Sequence, residues 1–353
     1  MEIGSEFWLE KIPQTSSVKT LNFLQKFNET MLTSSGRGAI TLLLQQIQPV
    51  QKSVLLPAYI CESVILPFLE QEYDCKYYEV DENLVPNIES INSHENIGVF
   101  FHMGYYGFST NSNLENVLES FRETSTIIVE DITHTLFSSY ERSKFNNYYV
   151  GSIRKWVGIP SGGFLASNAG IEKKSLDEDT IFSNKRFEAL INKGKYMSKN
   201  EPEIKELSLS QFSEAEGYLN LDSSPYRMDK LSVEILNTLN EEELIRKRKD
   251  NYMILSNGIK NINYLQPLFE TIDEKCCPMF FPILLKENRS SIRSKLAEQD
   301  IYCPIHWPLP PQIDINVLGN TVSIYNNVLS IPCDQRYEIK DMNRIIAVLK
   351  SIK

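Results

Sequence analysis

The stretch VGSIRKWVGIPSGGFL, residues 150–165, holds one lysine, Lys155, between Arg154 and Trp156 in a run otherwise free of charge. A lysine withdrawn from water beside a second cation loses proton affinity, and the neutral amine can form an imine with an aldehyde. Arg154 is such a neighbour, Ser152 precedes the lysine, and Gly162 and Gly163 follow it. Two other stretches offer complementary chemistry. In SSGRGAITLLLQQI (34–47), Gly36, Arg37 and Gly38 open into an amphipathic helix, where free backbone N–H groups and the helix dipole can seat a phosphate. In IIVEDITHT (127–135), an apolar strand ends in Glu130 and Asp131, with His134 close behind. Carboxylates at the C-terminal edge of a parallel strand face the crevice where open α/β sheets bind ligands.

Each stretch also has a plainer reading: a helix cap at Ser35, an acid capping the next element, a solvated lysine. Together they fit one cofactor. Pyridoxal phosphate needs a seat for its phosphate, an acid that keeps its pyridine nitrogen protonated, and a lysine that carries its aldehyde as a Schiff base.

The surrounding elements suit such a site. SVLLPA (53–58), CKYYEV (75–80), IGVFFHM (97–103), STIIVED (125–131) and GGFLAS (162–167) read as strands, with helices over 61–71 and 113–123 between them. This alternation predicts an α/β fold with a mostly parallel sheet covered by helices. Residues 224–259 read as one long connecting helix leading to a second unit. There 279–286, 301–308 and 328–333 read as strands, and 290–300 and 339–352 as helices. Residues 168–222 are polar and helix-leaning. WPLPP (307–311) reads as a rigid edge of the second unit along the substrate cleft, with His306 and Trp307 as substrate contacts.

The bulk properties agree with this reading. A chain of 353 residues exceeds one comfortable core. Its net charge of −10 argues against nucleic-acid binding. No apolar run approaches a membrane span, and MEIGSEFWLEKIPQ lacks the features of a signal peptide, so a cytoplasmic setting is expected. The six cysteines form no C-x-x-C pair and the four histidines are scattered, so reduced thiols and no metal site are expected. A nicotinamide-binding Rossmann unit would need G-x-G-x-x-G after the first strand, and none occurs.

The chain resembles the fold-type I pyridoxal-phosphate enzymes, specifically the DegT/StrS-like aminotransferases of sugar and surface-polysaccharide biosynthesis. The resemblance runs in order through SGRGAI (35–40), LLPAYICESVILPFLEQ (55–71), HMGYYGF (102–108), VEDITHT (129–135), GSIRKWVGIPSGGFL (151–165), YRMDKLSVEIL (226–236) and LSIPCDQRYEIKDMNRII (329–346). It implies a large domain (31–235) with a mostly parallel sheet of seven strands between helices. An N-terminal segment (1–30) precedes it, and a smaller C-terminal α/β domain (236–353) follows. It further implies that Lys155 is the Schiff-base lysine and proton shuttle, and that Asp131 partners the pyridinium. His134 would stand beside the ring hydroxyl, and Ser152 with Gly36, Arg37 and Gly38 at the phosphate.

Where many relatives stack an aromatic residue on the ring, this chain has Cys61, so Tyr59 or His102 is the alternative cover. Pro225 replaces an asparagine that in relatives reaches the neighbouring subunit's phosphate, and Ser161 replaces a glutamate. Tyr106 and Arg227 are candidates for the substrate pocket or a subunit boundary. The implied reaction is transfer of an amino group from an amino acid, expected to be glutamate, to a nucleotide-linked keto-sugar by a homodimer. The alternatives are another pyridoxal-phosphate reaction (a decarboxylase, a lyase, or transfer to a small substrate) or a non-catalytic binding relative. The family's sugar dehydratases carry histidine in place of the lysine, and Lys155 argues against that chemistry.

Overall fold

The computed structural model describes residues 1–10 and 21–352; residues 11–20 of the expected N-terminal segment lie outside the described residues. Twelve strands are found among them: β1 (Ile3–Gly4), β2 (Glu29–Thr33), β3 (Ser53–Pro57), β4 (Asp74–Tyr78), β5 (Val99–Met103), β6 (Ile127–Asp131), β7 (Tyr148–Ser152), β8 (Gly163–Ser167), β9 (Leu265–Pro267), β10 (Phe281–Leu285), β11 (Ile301–Tyr302) and β12 (Val328–Ile331). The α-helices are α1 (Gly36–Leu44), α2 (Glu62–Glu70), α3 (Ile88–Asn92), α4 (Glu115–Glu123), α5 (Thr180–Lys199), α6 (Pro202–Leu221), α7 (Lys230–Asn237), α8 (Glu241–Ile259), α9 (Arg289–Ala297), α10 (Thr321–Asn327) and α11 (Ile339–Ser351).

Seven strands form the main sheet in the order β2-β8-β7-β6-β5-β3-β4, and β8 alone runs against its neighbours. Strands β3, β5 and β8 are buried along their whole length, as expected of strands covered on both faces. One apolar cluster built on Leu42, Leu55, Phe100 and Phe101 packs around this sheet. Another holds Trp156, Ile153, Phe164 and Leu244.

Because the parallel strands share one direction, their C-terminal ends gather at one edge. Cys61, Asp131, Ser152 and Lys155 all follow or end such strands. The start of α1 joins them directly from β2, capped by Ser35, whose Oγ accepts from the Gly38 N–H at 3.0 Å. Gly163 permits this arrangement: a Cβ there would stand 2.2 Å from the Ser35 carbonyl carbon.

A three-stranded antiparallel sheet, β12-β10-β9, carries the second unit, with α8 and α11 in its apolar cluster. The chain start is tied to it, since Ile3 and Gly4 pair in parallel with Ile301 and Tyr302.

Three expectations need correcting. The long helix over 224–259 is two helices, broken after Asn237; Asn240 caps the second through its Oδ1 at 3.0 Å from the Glu243 N–H. The strand over 301–308 lasts only two residues, because Pro304 and Pro308 have no N–H for a ladder. Strands β2 and β7 carry no strong apolar run, and the sequence reading passed over them. The polar stretch 168–222 is largely the helical hairpin α5–α6, turned at Asn200 in the left-handed region with φ 57° and restarted by Pro202. The chain start lies along it: a Cβ at Gly194 would stand 2.2 Å from the Leu9 carbonyl oxygen, so only glycine lets that segment pass.

Candidate active site

A cavity of about 660 Å³ opens at the C-terminal edge of the main sheet, and Lys155, Asp131, Ser152, Gly36, Arg37 and Cys61 all line it. Lys155 ends a short 3-10 turn, Ile153–Lys155, that leaves β7. The next residue anchors this turn. Trp156 is fully buried, its Nε1–H donates to the Thr133 carbonyl at 2.6 Å, and the Arg248 guanidinium lies 4.4 Å from the ring centroid. The Ser152 N–H donates to Thr133 Oγ1 at 3.0 Å, which joins the lysine turn to the end of β6. Truncating a tryptophan so enclosed costs about 3–5 kcal/mol, so the fold fixes where the lysine's backbone lies.

Asp131 ends β6 with 6% of its surface exposed, and its Oδ1 accepts from the Thr133 N–H at 2.7 Å. Burial raises its pKa, while Thr133 and the nearby Lys155 charge pull the other way. Glu130, next along the strand, points to the opposite face. It is buried rather than solvated, bonded to Arg142 Nη1 at 2.6 Å and to Asn146 Nδ2 at 2.8 Å.

His134 is fully buried. Its Nδ1 accepts from the Tyr106 N–H at 3.2 Å, which puts the ring proton on Nε2, and Nε2 has no partner. Burial holds its pKa well below the ordinary histidine value, helped by the charges of Lys155 and His306. A buried donor without an acceptor is costly, and here it lies within the influence of Lys155.

His134 does not itself line the cavity; Trp307, which does, packs beside it with ring centroids 5.1 Å apart. The Lys155 Nζ stands 5.9 Å from the Trp307 ring centroid. His306 also lines the cavity, bonded through Nδ1 to Ser330 Oγ at 2.8 Å, and burial with Lys155 nearby pushes its pKa down to about 3.

The remaining candidates are distributed unevenly. Tyr59 and Tyr106 are buried behind this wall, their hydroxyls 3.2 Å apart, and do not line the cavity. His102 is not a cover for a ring: it lies in the buried network of Glu130, bonded to Asn146 at 2.9 Å and to Asn111 at 2.9 Å. Like Glu130, it occupies the strand register that faces away from Asp131. Arg227 is 56% exposed, pairs with Glu178 and does not line the cavity. Gly38 turns its N–H to the Ser35 cap, so the amides left without an acceptor inside α1 are those of Gly36 and Arg37.

The sequence reading missed a wall. Arg186 from α5 and Glu216 from α6 line the cavity together with Arg154. The signal lay in the apolar spacing of Phe182, Ala189 and Leu190, which makes Arg186 an inward position of a helix.

No protein-family model matches this sequence, and no curated protein matches it. Solved structures do. PseC of Helicobacter pylori, an aminotransferase involved in the biosynthesis of pseudoaminic acid, is 15% identical; the match covers 93% of this chain and 87% of that one at a TM-score of 0.68. This is the fold-type I aminotransferase fold. A DegT DnrJ EryC1 StrS aminotransferase from Brucella abortus is 13% identical, with 93% and 88% covered and a TM-score of 0.63. Spr1654 of Streptococcus pneumoniae, assigned as a sugar aminotransferase, was solved in a PLP form and a PMP form. The PLP form is 14% identical, with 94% and 88% covered and a TM-score of 0.70.

Proposed function

We propose that the protein is a pyridoxal-phosphate-dependent aminotransferase that moves an amino group from an amino acid, glutamate by expectation, to a keto-sugar, in its most specific form a nucleotide-linked one. One observation carries this reading: Lys155, the buried Asp131 and the open first turn of α1 border a single cavity. The shared fold with sugar aminotransferases supports it.

The residues fit the cofactor. The unpartnered Nε2–H of His134, packed beside Trp307 just outside the cavity lining, is the donor proposed for a ring hydroxyl. The Gly36 and Arg37 amides and Ser152 offer a phosphate seat, and Asp131 offers a carboxylate for a pyridinium. When bound, the cofactor supplies an electron sink for the bond-breaking at the substrate's amino-bearing carbon.

The chain's own groups do the rest. Asp131 holds a proton on the ring nitrogen, and its buried carboxylate gains a cation to offset the cost of its charge. Lys155, placed by Trp156 and by the Thr133–Ser152 bond, gives and takes the proton at the substrate carbon in both half-reactions. Trp307 and His306 exclude water along one wall.

Residues 31–235 serve as the cofactor-bearing unit and residues 236–353 as the smaller one, behind an N-terminal segment of residues 1–30. A homodimer is the proposed assembly. A cytoplasmic setting is proposed as well, supported by six free cysteines and by the lack, among the described residues, of any helix long and apolar enough to cross a membrane.

The test is direct. Purified protein should carry a yellow chromophore that borohydride traps on Lys155, and Lys155→Ala should abolish both the trapped link and turnover. Glutamate should bleach the chromophore with release of one keto acid per site, and a keto-sugar nucleotide should restore it. A protein that is colourless when supplied with cofactor, or a trapped link at another lysine, overturns the assignment. Release of carbon dioxide in place of a keto acid would instead support a decarboxylase.

A further inference from the structure

We infer that the α5–α6 hairpin completes, within one chain, a seat for a phosphate dianion that begins at the first turn of α1. The hairpin brings Arg186 and Glu216 into the cavity beside Arg154 and Arg37. A single oxygen, Glu216 Oε1, serves two guanidinium groups, Arg154 Nη1 at 2.7 Å and Arg186 Nη1 at 2.9 Å. Arg186 also reaches Glu6 Oε2 at 3.5 Å, and the two carboxylates are about equally open to water, Glu6 43% and Glu216 39% exposed. Arg37 donates to the Leu219 carbonyl and to Asn220, both neutral. Three guanidinium charges therefore face two partly exposed carboxylates, Glu216 and Glu6.

Burial would raise the Glu216 pKa, yet Arg154 and Arg186 overcome that and hold it at about 2, so Glu216 stays ionised throughout the working range. The excess of positive charge is thus permanent, and it is enclosed. The Arg186 side chain is 3% exposed, and its Nε, like that of Arg154, is buried without a partner. A buried N–H donor left without an acceptor is costly until one is supplied.

Closure of the hairpin does not require these charges, because Phe182, Ala215 and Leu219 already supply an apolar contact between its helices. A phosphate monoester carries nearly two negative charges at neutral pH, enough to neutralise the remaining positive charge and to use the free amides of α1 as well, and its oxygens suit guanidinium donors. The first turn of α1 adjoins the same space. A Cβ on Gly36 would stand 3.2 Å from Ser152 Cβ, so the free amides lie beside that serine at the cavity wall.

The phosphate belongs either to the cofactor or to the substrate, and only the choice of carrier rests on the proposed function. The test compares wild type, Arg154→Gln, Arg186→Gln and Glu216→Gln, each stripped of bound cofactor and checked for folding by circular dichroism. Calorimetric titration measures inorganic phosphate, pyridoxal phosphate, pyridoxal and uridine diphosphate. The two arginine variants should bind inorganic phosphate roughly tenfold to a hundredfold more weakly, the loss of one charge-assisted contact. Glu216→Gln should bind it more tightly, which a merely structural ion pair would not produce.

If the cofactor carries the anion, pyridoxal phosphate follows the same pattern while pyridoxal does not. If the substrate carries it, uridine diphosphate follows and pyridoxal phosphate does not. Equal phosphate affinity in all four proteins, or weaker binding by Glu216→Gln, overturns the inference. Should the arginine variants fail to fold, Glu216→Gln alone decides by the same criterion. A wild type that binds phosphate but not pyridoxal phosphate overturns the cofactor reading and leaves the seat standing.

Discussion

Removing the charge of Arg142 should both destabilise the fold and reverse the pH dependence that Glu130 contributes. Glu130 is buried one residue from Asp131, with its side chain 3% exposed, and Arg142, 12% exposed, is its only cationic partner among the described residues. In Arg142→Met the carboxylate keeps the Asn146 amide at 2.8 Å and loses the ion pair. Breaking a buried pair from one side costs about 3–5 kcal/mol. With a urea dependence of roughly 3 kcal/mol per molar or more for a chain this long, the unfolding midpoint should fall by about 1 M.

The sign with pH follows from the two environments. In the wild type, burial would raise the Glu130 pKa, but Arg142 and the other neighbours hold it below the ordinary carboxylate value. Its stabilisation is then complete above about pH 4.5 and is lost only as pH falls through the depressed value. Without Arg142 burial prevails and the folded pKa rises. The variant then loses about 1.4 kcal/mol per pH unit above the unfolded value of roughly 4.5, until its own folded pKa is passed. His102, whose pKa burial lowers with a contribution from Arg142, should become easier to protonate and shift the balance the same way. Urea melts of both proteins from pH 5 to pH 8 should therefore show a gap that widens with pH, and Glu130→Gln added to the variant should remove most of the widening, leaving the part due to His102. A constant gap, or none, would refute the claim that Glu130 is held ionised by Arg142.

Three other perturbations have defined outcomes. Burial depresses the pKa values of His134, His306 and His102, so the unfolded chain takes up protons that the folded chain refuses. Stability should fall as pH drops below about 6.5, by ~1.4 kcal/mol per unit for each histidine, and His306→Phe should flatten that limb in thermal melts. Gly163→Ala drives a methyl group into the Ser35 carbonyl; thermal melts should show a loss of at least ~1–3 kcal/mol, with weakened pyridoxal-phosphate binding by absorbance titration. Trp156→Phe loses the bond to the Thr133 carbonyl and should lower turnover far more than it raises the apparent constant for either substrate, because what it disturbs is the placing of Lys155.

Much of the candidate site's layout was legible because its parts are local. Ser35 capping a glycine-rich helix start, Asp131 ending an apolar strand and Lys155 just past Ser152 are patterns of adjacent residues. In a mostly parallel sheet, strand ends meet at one edge whatever the details between them. Neighbours along a strand were harder to rank. Glu130 and Asp131 are equivalent in composition, and only the pleat sends one to the Arg142 network and the other to the cavity. His102 failed as a cavity residue for the same reason.

The amino-acid order by itself determined the alternation of strands and helices, the Ser35-capped glycine-rich turn and the place of Lys155 just past a strand end, since propensity, periodicity and capping act over a few residues. Tertiary structure alone decided that a polar hairpin beginning 25 residues beyond Lys155 would carry Arg186 and Glu216 back to its cavity. It also decided that Trp307 would flank His134 and that the chain's first residues would pair with Ile301 and Tyr302. Those placements depend on contacts between distant segments, whose burial no local pattern encodes.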